Sequence, residues 1–274
     1  MKKLPSNIKG PSLHEFPEDL ADAQFVRLLS SEDDNSSDEI PHARVFLVIL
    51  GGRRYAVKIF NFFSLEDIRP FVPTMEHLLD DVVVREQLDP FFAECRAFGR
   101  LVDEKKDDEL AVCCHGYTYI SEDVERYIGK EFHIYDWNRS PEDKRKKKRL
   151  RAIVKNHIRF VSFDYPKKLP TMRENLVQLN KMGIYNMDIC KRNYLGGRLF
   201  DFSIAITTPH ISFWTELRTR KQIKEDMDYD LACFDSIAEA EEIEKNRIAE
   251  EREERWENVK KRSDRRTVSR EGYY

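Results

Sequence analysis

The sequence lacks the cysteine patterns of secreted and zinc-binding proteins. Its five cysteines are an odd number without a C-x-x-C pair, so they predict neither a disulfide framework nor a zinc site. No apolar run approaches the length of a membrane-spanning helix, and the N-terminus leads into no apolar signal segment. We therefore expect a soluble intracellular protein in a reducing compartment, without membrane contact.

The chain also lacks an excess of charge of one sign. Its 47 Lys and Arg residues nearly balance 50 Asp and Glu residues, which leaves a net charge of −3 over 274 residues. This balance excludes a protein that binds nucleic acid through a globally basic surface. Hydrophobic residues make up 41% of the chain, enough for a core, and the length suits one large domain or two small ones with tails.

The charged residues, 35% of the chain, include three concentrated segments: residues 30–40 are acidic, 144–149 basic and 239–270 mixed. A solvated loop is the default interpretation of the basic run from Lys144 to Arg149, with a nuclear-import signal or a weak contact with nucleic-acid phosphates as alternatives. Opposite charges three and four residues apart in the mixed segment predict an exposed helix. Trp256 and Val259 would give that helix a docking surface for a protein partner.

Hydrophobic and β-branched runs predict a group of strands: 24–29, 43–50, 53–60, 111–119 and 151–154. Gly51 and Gly52 form a two-residue hairpin turn between the second and third of them. Helical spacing of apolar residues predicts two helices: 90–101 and 171–182. Asp89 and Thr171 are the expected N-terminal caps of these helices. The predicted fold class is therefore α+β.

Polar residues in and after these elements suggest a chemical site. They are Lys58 on the third strand, Glu94 in the first helix, Asp188 and Asn193 in a D-x-x-x-x-N spacing, and Asp201 after a short hairpin. Each motif is weak evidence alone, and the order of all five on matching elements makes the combination specific.

In this order the five residues resemble the motifs of the protein-kinase fold, over residues 24–209. The resemblance implies a two-lobe fold that binds ATP and Mg²⁺ between its lobes. It assigns Lys58 to the phosphates, Glu94 to an ion pair with Lys58, and Asp188 to the acceptor hydroxyl as the catalytic base. Asn193 and Asp201 would be the Mg²⁺ ligands, which suits an ion that takes few protein carboxylates together with phosphates.

The chain departs from the kinase pattern at points that bear on activity. Residues 186–188 read Asn-Met-Asp in place of His-Arg-Asp, and Ser203 replaces the glycine of the Asp-Phe-Gly motif. The segment 30–40 stands where a glycine-rich phosphate loop belongs, but it holds no glycine and five carboxylates that would repel a triphosphate. Too few residues follow Asp201 for a complete C-lobe, so the usual peptide platform is missing.

A closer resemblance rests on four segments: 89–98, 152–155, 192–197 and 200–205. They are similar to a fungal family of compact kinase-like proteins named after the Fta-two subunit of the Sim-four inner-kinetochore complex. That resemblance implies a nuclear protein at the centromere or kinetochore, with the cytoplasm as the alternative location. It also makes residues 120–150 an insertion in the N-lobe.

The predicted organisation has four parts: a loose N-terminal arm at 1–23, a kinase-like N-lobe at 24–158, a reduced C-lobe at 159–214 and a charged helical tail at 215–274. The leading hypothesis is a protein that binds ATP and Mg²⁺ and has weak or lost phosphotransferase activity. One alternative is a non-enzymatic pseudokinase scaffold that meets protein partners in a nuclear complex. Another is a small-molecule phosphotransferase, which needs no peptide platform.

Overall fold

The computed structural model describes residues 10–30, 42–68, 80–159 and 165–271, with the side chains of the C-terminal helix described up to residue 253. Residues 31–40 of the predicted acidic segment lie outside the described ranges. The side chains of Trp256 and Val259 lie outside them as well. The described part contains helices and a five-stranded sheet, so the predicted α+β class is confirmed. The two-lobe, kinase-like arrangement stays a prediction.

The strands and helices follow one another along the chain without an internal repeat. The strands are β1 (Gln24–Leu28), β2 (Ala43–Leu50), β3 (Arg53–Phe60), β4 (Cys114–Tyr119), β5 (Arg151–Asn156), β6 (Ile184–Tyr185), β7 (Tyr194–Leu195), β8 (Arg198–Leu199) and β9 (Ile206–Thr207). The helices are α1 (Leu65–Ile68), α2 (Asp81–Leu88), α3 (Pro90–Asp103), α4 (Glu122–Phe132), α5 (Pro141–Arg145), α6 (Tyr165–Lys181) and α7 (Arg220–Glu271).

The main sheet is antiparallel, with the strand order β1-β2-β3-β5-β4. Gly51 and Gly52 join β2 to β3 with φ angles of 55° and 77°, which confirms the predicted hairpin and its need for glycine. Alternate residues of a strand face opposite sides of the sheet. Val57 and Ile59 of β3 therefore face one side, whereas Lys58 between them faces the other.

The sheet is buried on both faces. On one face Val57 and Val154 pack with Ile128 and Trp137 of the 120–150 insertion. The predicted insertion is therefore part of the hydrophobic core. On the other face Ile153 packs among residues of α3, α6 and α7.

Helix α3 lies across the second face and carries one of the predicted site residues. The Asp89 side chain accepts a hydrogen bond from the backbone N–H of Phe91 at 3.0 Å, with Pro90 in the first helical position, so the predicted cap is confirmed. Phe98 and Leu101 are completely buried on its inner side. This packing fixes the direction in which the helix presents its polar residues.

The N-terminal segment is more ordered than the sequence suggests. Residues 10–23 of the predicted loose arm pack onto the sheet, with Leu13, Phe16 and Leu20 buried. The backbone N–H of Phe16 donates to the carbonyl of Tyr117 at 2.7 Å. A Cβ atom at Gly99 would lie 2.6 Å from the backbone of residue 12, so this glycine permits the close approach. The expectation of a loose arm is therefore wrong for this part.

Helix α6 begins earlier than predicted. Its first residue is Tyr165, so Thr171 is an interior residue rather than the cap. Proline usually ends a helix, but Pro170 lies near the start, where it removes only one ladder hydrogen bond. Leu169 packs against the core and Met172 is buried in it, and these contacts keep the first turns helical.

Candidate functional site

Lys58 lies at the centre of a buried ion network. Its Nζ is 2.7 Å from Glu94 Oε2 on α3 and 2.7 Å from Asp201 Oδ1. The alternation of β3 turns Lys58 toward α3, where Glu94 points back at the sheet from the buried side of the helix. Lys58 is 4% exposed and Glu94 is completely buried. The structure therefore brings together three of the five predicted site residues.

A second lysine, Lys155 on β5, completes this network. Its Nζ is 2.6 Å from Glu94 Oε1 and donates to the carbonyl of Phe200 at 2.7 Å. Register explains the position, because Lys155 pairs with Ala56, two residues from Lys58 on the same face of the sheet. Sequence reasoning missed Lys155, although a lone lysine at the end of an apolar strand was a usable signal. Two buried lysines thus face two carboxylates.

The charges in this network stabilise each other's ionised forms. Burial opposes ionisation of Asp201, but Lys58 and Lys155 outweigh it and hold the pKa of that carboxyl well below its usual range. Burial also disfavours the charged form of Lys58, but Asp201 and Glu94 raise its pKa above the usual value overall. Both groups therefore stay charged at neutral pH.

Asp188 and Asn193 form a second cluster. The side-chain amide of Asn193 donates to the carbonyl of Asp188 at 2.9 Å and to its Oδ2 at 2.8 Å. The short 3-10 turn Lys191–Asn193 folds the chain back, so the spacing of five places the two side chains together. The Asp188 side chain is 41% exposed. One carboxylate of the predicted site is therefore accessible to a second molecule.

Asn186 joins the two clusters. Its side-chain amide donates to the carbonyl of Asp201 at 2.6 Å, and its Oδ1 accepts from the backbone N–H of Asp188 at 3.1 Å. Asn186 is 1% exposed and occupies the place that the kinase resemblance gives to histidine. All five predicted residues consequently belong to one continuous site.

Asp230 of α7 anchors the loop that carries Asp188. Its two carboxylate oxygens accept from the backbone N–H groups of Asn186 at 2.6 Å and of Met187 at 2.8 Å. Met187 has a φ of 66°, a left-handed conformation that is strained for this residue and that these hydrogen bonds hold in place. Burial raises the pKa of Asp230 to about 6, although the two N–H groups work against the shift.

Sequence reasoning missed Asp230 because it placed residues 215–274 in a charged tail. The first turns of α7 instead contribute Ile223 and Phe234 to the buried interior, and Asp230 lies between them. A carboxylate spaced at helical intervals from these apolar residues was the available signal. The inner part of α7 therefore supports the site.

Comparison with models of known protein families gives a match for this chain. The family model described as kinetochore Sim4 complex subunit FTA2 matches residues 1–206. The chain belongs to this FTA2 family. The match covers Lys58, Glu94, Asp188, Asn193 and Asp201, but it ends before α7. No curated protein matches the chain.

Membership of the FTA2 family agrees with the predicted nuclear, centromere-associated location, because the family description names a kinetochore complex. Within the residues that the structure describes, every helix is too short or too polar to cross a membrane.

The described residues of this FTA2 family member offer oxygen ligands rather than a complete metal cage. No group of three His, Cys, Asp or Glu side chains converges on a metal position in the described ranges. Asp201 Oδ2 and Asn193 Oδ1 accept no hydrogen bond from any described residue. Carboxylate and amide oxygens suit Mg²⁺, which keeps several waters and takes its other ligands from phosphates. The donor set therefore fits the predicted ion.

Proposed function

We propose that this chain is a kinetochore-complex subunit with a kinase-like nucleotide site, which binds ATP with Mg²⁺ and has weak or lost phosphotransfer activity. The observation that carries the proposal is the position of Lys58 Nζ, 2.7 Å from both Glu94 and Asp201. Such a lysine is a fixed positive charge beside a carboxylate with a free oxygen. That combination suits a phosphate chain and its metal ion.

The residues would divide the work as follows. Lys58 would bind phosphate oxygens while Glu94 keeps its side chain extended across the site. Asp201 Oδ2 and Asn193 Oδ1 would hold Mg²⁺, and the half-exposed carboxylate of Asp188 would accept the proton of an acceptor hydroxyl. When bound, ATP with Mg²⁺ supplies the phosphoryl group and charge neutralisation.

Thermal unfolding with ATP and Mg²⁺ tests the binding step. Ligand at 100 times its dissociation constant should stabilise the wild type by about 2.7 kcal/mol. Asp201→Asn should lose the ligand-induced shift, because it removes the negative charge that would bind Mg²⁺ and that orients Lys58. Asp108→Asn is the matched control, since Asp108 is an exposed carboxylate paired with Arg198 at 2.8 Å. The absence of a wild-type shift at millimolar nucleotide would contradict the proposal.

Phosphate release separates an enzyme from a protein that only binds nucleotide. If activity survives, Asp188→Ala should abolish release and keep the ligand-induced thermal shift. If neither protein releases phosphate, the site is a pseudokinase site. A rise in turnover on addition of small hydroxyl compounds would favour the small-molecule phosphotransferase, because such acceptors need no peptide platform.

A non-enzymatic scaffold is the second candidate, and Lys155 favours it. With Lys155 present, the network has two cations and two carboxylates and is neutral without a nucleotide. Such a network can serve as a fixed structural tie between α3, β3, β5 and the Asp201 segment. In that case the outer, exposed part of α7 would make the contacts with other subunits.

Truncation after residue 241 tests the scaffold. The cut keeps Glu241, which pairs with Lys191, and keeps the buried turns around Asp230. Binding to reconstituted kinetochore subunits should be lost, while the unfolding midpoint changes little. Full binding by the truncated chain would count against the outer helix as the docking element.

A further inference from the structure

The insertion between β4 and β5 forms an open pocket of about 470 Å³. None of the five site residues lines it, and the insertion packs on the face of the sheet opposite to α3. Its size lies within the range of small-ligand sites. Six of its lining residues are cations: Arg126, Arg139, Lys144, Lys147, Lys148 and Arg149. Only two lining residues, Glu122 and Glu125, are acidic.

Two of these cationic residues form no ion pair with another described residue. Arg139 pairs with Glu125 at 2.7 Å, and Lys148 pairs with Asp143 at 2.6 Å. By contrast, Lys144 and Lys147 have no ion-pair partner within the described ranges, and both residues line the pocket. Lysines without an ion-pair partner, in a pocket whose lining has six cations and two carboxylates, favour an anionic ligand.

The backbone around these lysines is fixed. Ser140 and the buried Asp143 form a reciprocal capping box at the start of α5. At its end Lys147 adopts a left-handed φ of 49° and donates its N–H to the carbonyl of Lys144 at 3.1 Å. This turn brings the two lysine backbones together. The basic run is therefore exposed to solvent, as its composition predicts, and four of its residues also line the pocket.

Aromatic residues complete the pocket. Tyr135 lines the pocket and is 72% exposed, so its ring is accessible to a ligand. Trp137 is 2% exposed, and its indole N–H has no acceptor among the described residues. Most buried polar groups are hydrogen-bonded, so this unpaired donor is an exception within the pocket wall.

We propose that this pocket binds a phosphate monoester, through Lys144 and Lys147 together with the aromatic residues Tyr135 and Trp137. A monoester carries nearly two negative charges and three strong acceptor oxygens. It suits cations grouped around one pocket better than a phosphodiester backbone, which favours cations spread along a groove. The ester is carried by a phosphorylated side chain of a protein partner or by a small phosphorylated molecule.

Calorimetric titration of the full chain distinguishes these sources. One arm uses a short phosphoserine peptide and its unphosphorylated form, and the other uses inositol hexakisphosphate. Tighter binding of the phosphopeptide supports a protein partner, and tighter binding of the inositol phosphate supports a small molecule. Each should change tryptophan fluorescence, because Trp137 lines the pocket. The proposal is overturned if neither probe binds, or if a single-stranded oligonucleotide binds more tightly than both.

A matched pair of double variants separates the pocket from the general charge of the basic run. Lys144→Gln with Lys147→Gln should weaken binding by about tenfold or more, because each ammonium group gives a charge-assisted hydrogen bond. Arg145→Gln with Lys146→Gln removes the same charge from the same run, but neither residue lines the pocket. Binding to this control should stay within about twofold of wild type. An equal loss in both variants would overturn the proposal.

Discussion

Two parts of the site hold buried or partly buried carboxylates by different means. In the network around Lys58, Glu94 and Asp201 face two lysine ammonium groups. In the anchor on α7, Asp230 faces only two backbone N–H groups. The pKa of Asp201 is far below its usual range, whereas that of Asp230 is raised to about 6.

The contrast shows how far full charges and how far backbone dipoles stabilise a carboxylate that is removed from water. A cation at 2.7 Å compensates for the lost hydration of a carboxylate, but two N–H dipoles do so only in part. The network therefore depends on every charge being present. In the anchor, the buried charge of Asp230 is unfavourable, but its hydrogen bonds fix the conformation of the loop that carries Asp188.

The largest expected effect is the loss of Glu94. Glu94→Gln leaves Lys58 and Lys155 with one carboxylate between them, and breaking a buried ion pair in this way costs about 3–5 kcal/mol. Urea unfolding at neutral pH measures the change in the free energy of unfolding. A loss below about 1 kcal/mol would mean that water already reaches the network.

Two further variants control for this change. Glu244→Gln removes a glutamate of the same type from the exposed outer part of α7, where it pairs with Arg247, and it should leave the unfolding midpoint within error. Glu94→Gln combined with Lys155→Met removes a charge together with its partner. The combined variant should recover at least half of the stability lost by Glu94→Gln, because the remaining pair of Lys58 and Asp201 is balanced.

Removal of Asp230 should have the next largest effect. Asp230→Ala leaves two backbone N–H groups buried without acceptors, at a cost of about 3 kcal/mol. Hydrogen exchange of the Asn186 and Met187 amides should accelerate more than that of the main sheet, because the loop opens locally. Asp228→Ala is the control, since Asp228 is an exposed carboxylate of the same helix paired with Lys224. Uniform acceleration across the chain would instead indicate a global loss of stability.

The five predicted site residues came from spacing and order, and these signals are local. Lys58 follows from an alternating strand, and Asp188 with Asn193 follow from a turn. Glu94 follows from its place on a helix with one apolar side. Such patterns predict that a residue faces inward, and the structure brings all five together. Their chemical role stays a prediction.

Lys155 and Asp230 depend on long-range contacts that no local pattern records. Lys155 enters the network because β5 pairs with β3 in one particular register. The two lysines are far apart in the sequence, so no local pattern connects them. Asp230 enters because α7 packs back against α6, which its highly charged composition conceals. The start of α6 was missed for the same reason, since tertiary packing overrides the tendency of Pro170 to end a helix.

The pH dependence of stability distinguishes the anchor from the network. The pKa of Asp230 rises from 3.8 to about 6 on folding, so the folded state keeps its proton to higher pH than the unfolded state. The stabilisation by the protonated Asp230 side chain is fully present in the free energy of unfolding below pH 3.8, and it is lost as the pH rises to about 6. Relative to Asp230→Asn, the wild type should therefore lose about 2–3 kcal/mol over this interval.

Asp201 should behave in the opposite way. Its pKa is lowered on folding, so its contribution is present above the usual value of 3.8 and is lost as the pH falls further. Urea unfolding of wild type, Asp230→Asn and Asp201→Asn from about pH 6 to well below pH 3.8 gives both slopes. Parallel curves for wild type and Asp230→Asn would show that Asp230 does not titrate between the two values.

The smallest expected effect concerns the exposed ion pair that also ties α7 to α6. Arg173 binds Asp235 through two hydrogen bonds of 2.7 and 2.9 Å, but both side chains are about half exposed. A double-mutant cycle with Arg173→Ala and Asp235→Ala should give a coupling of about 0.5 kcal/mol, and salt should reduce it. The pair lies little more than one helical turn from Asp230, so it offers a competing explanation for the docking of α7. A coupling above about 2 kcal/mol would transfer that role from the buried carboxylate to the surface pair.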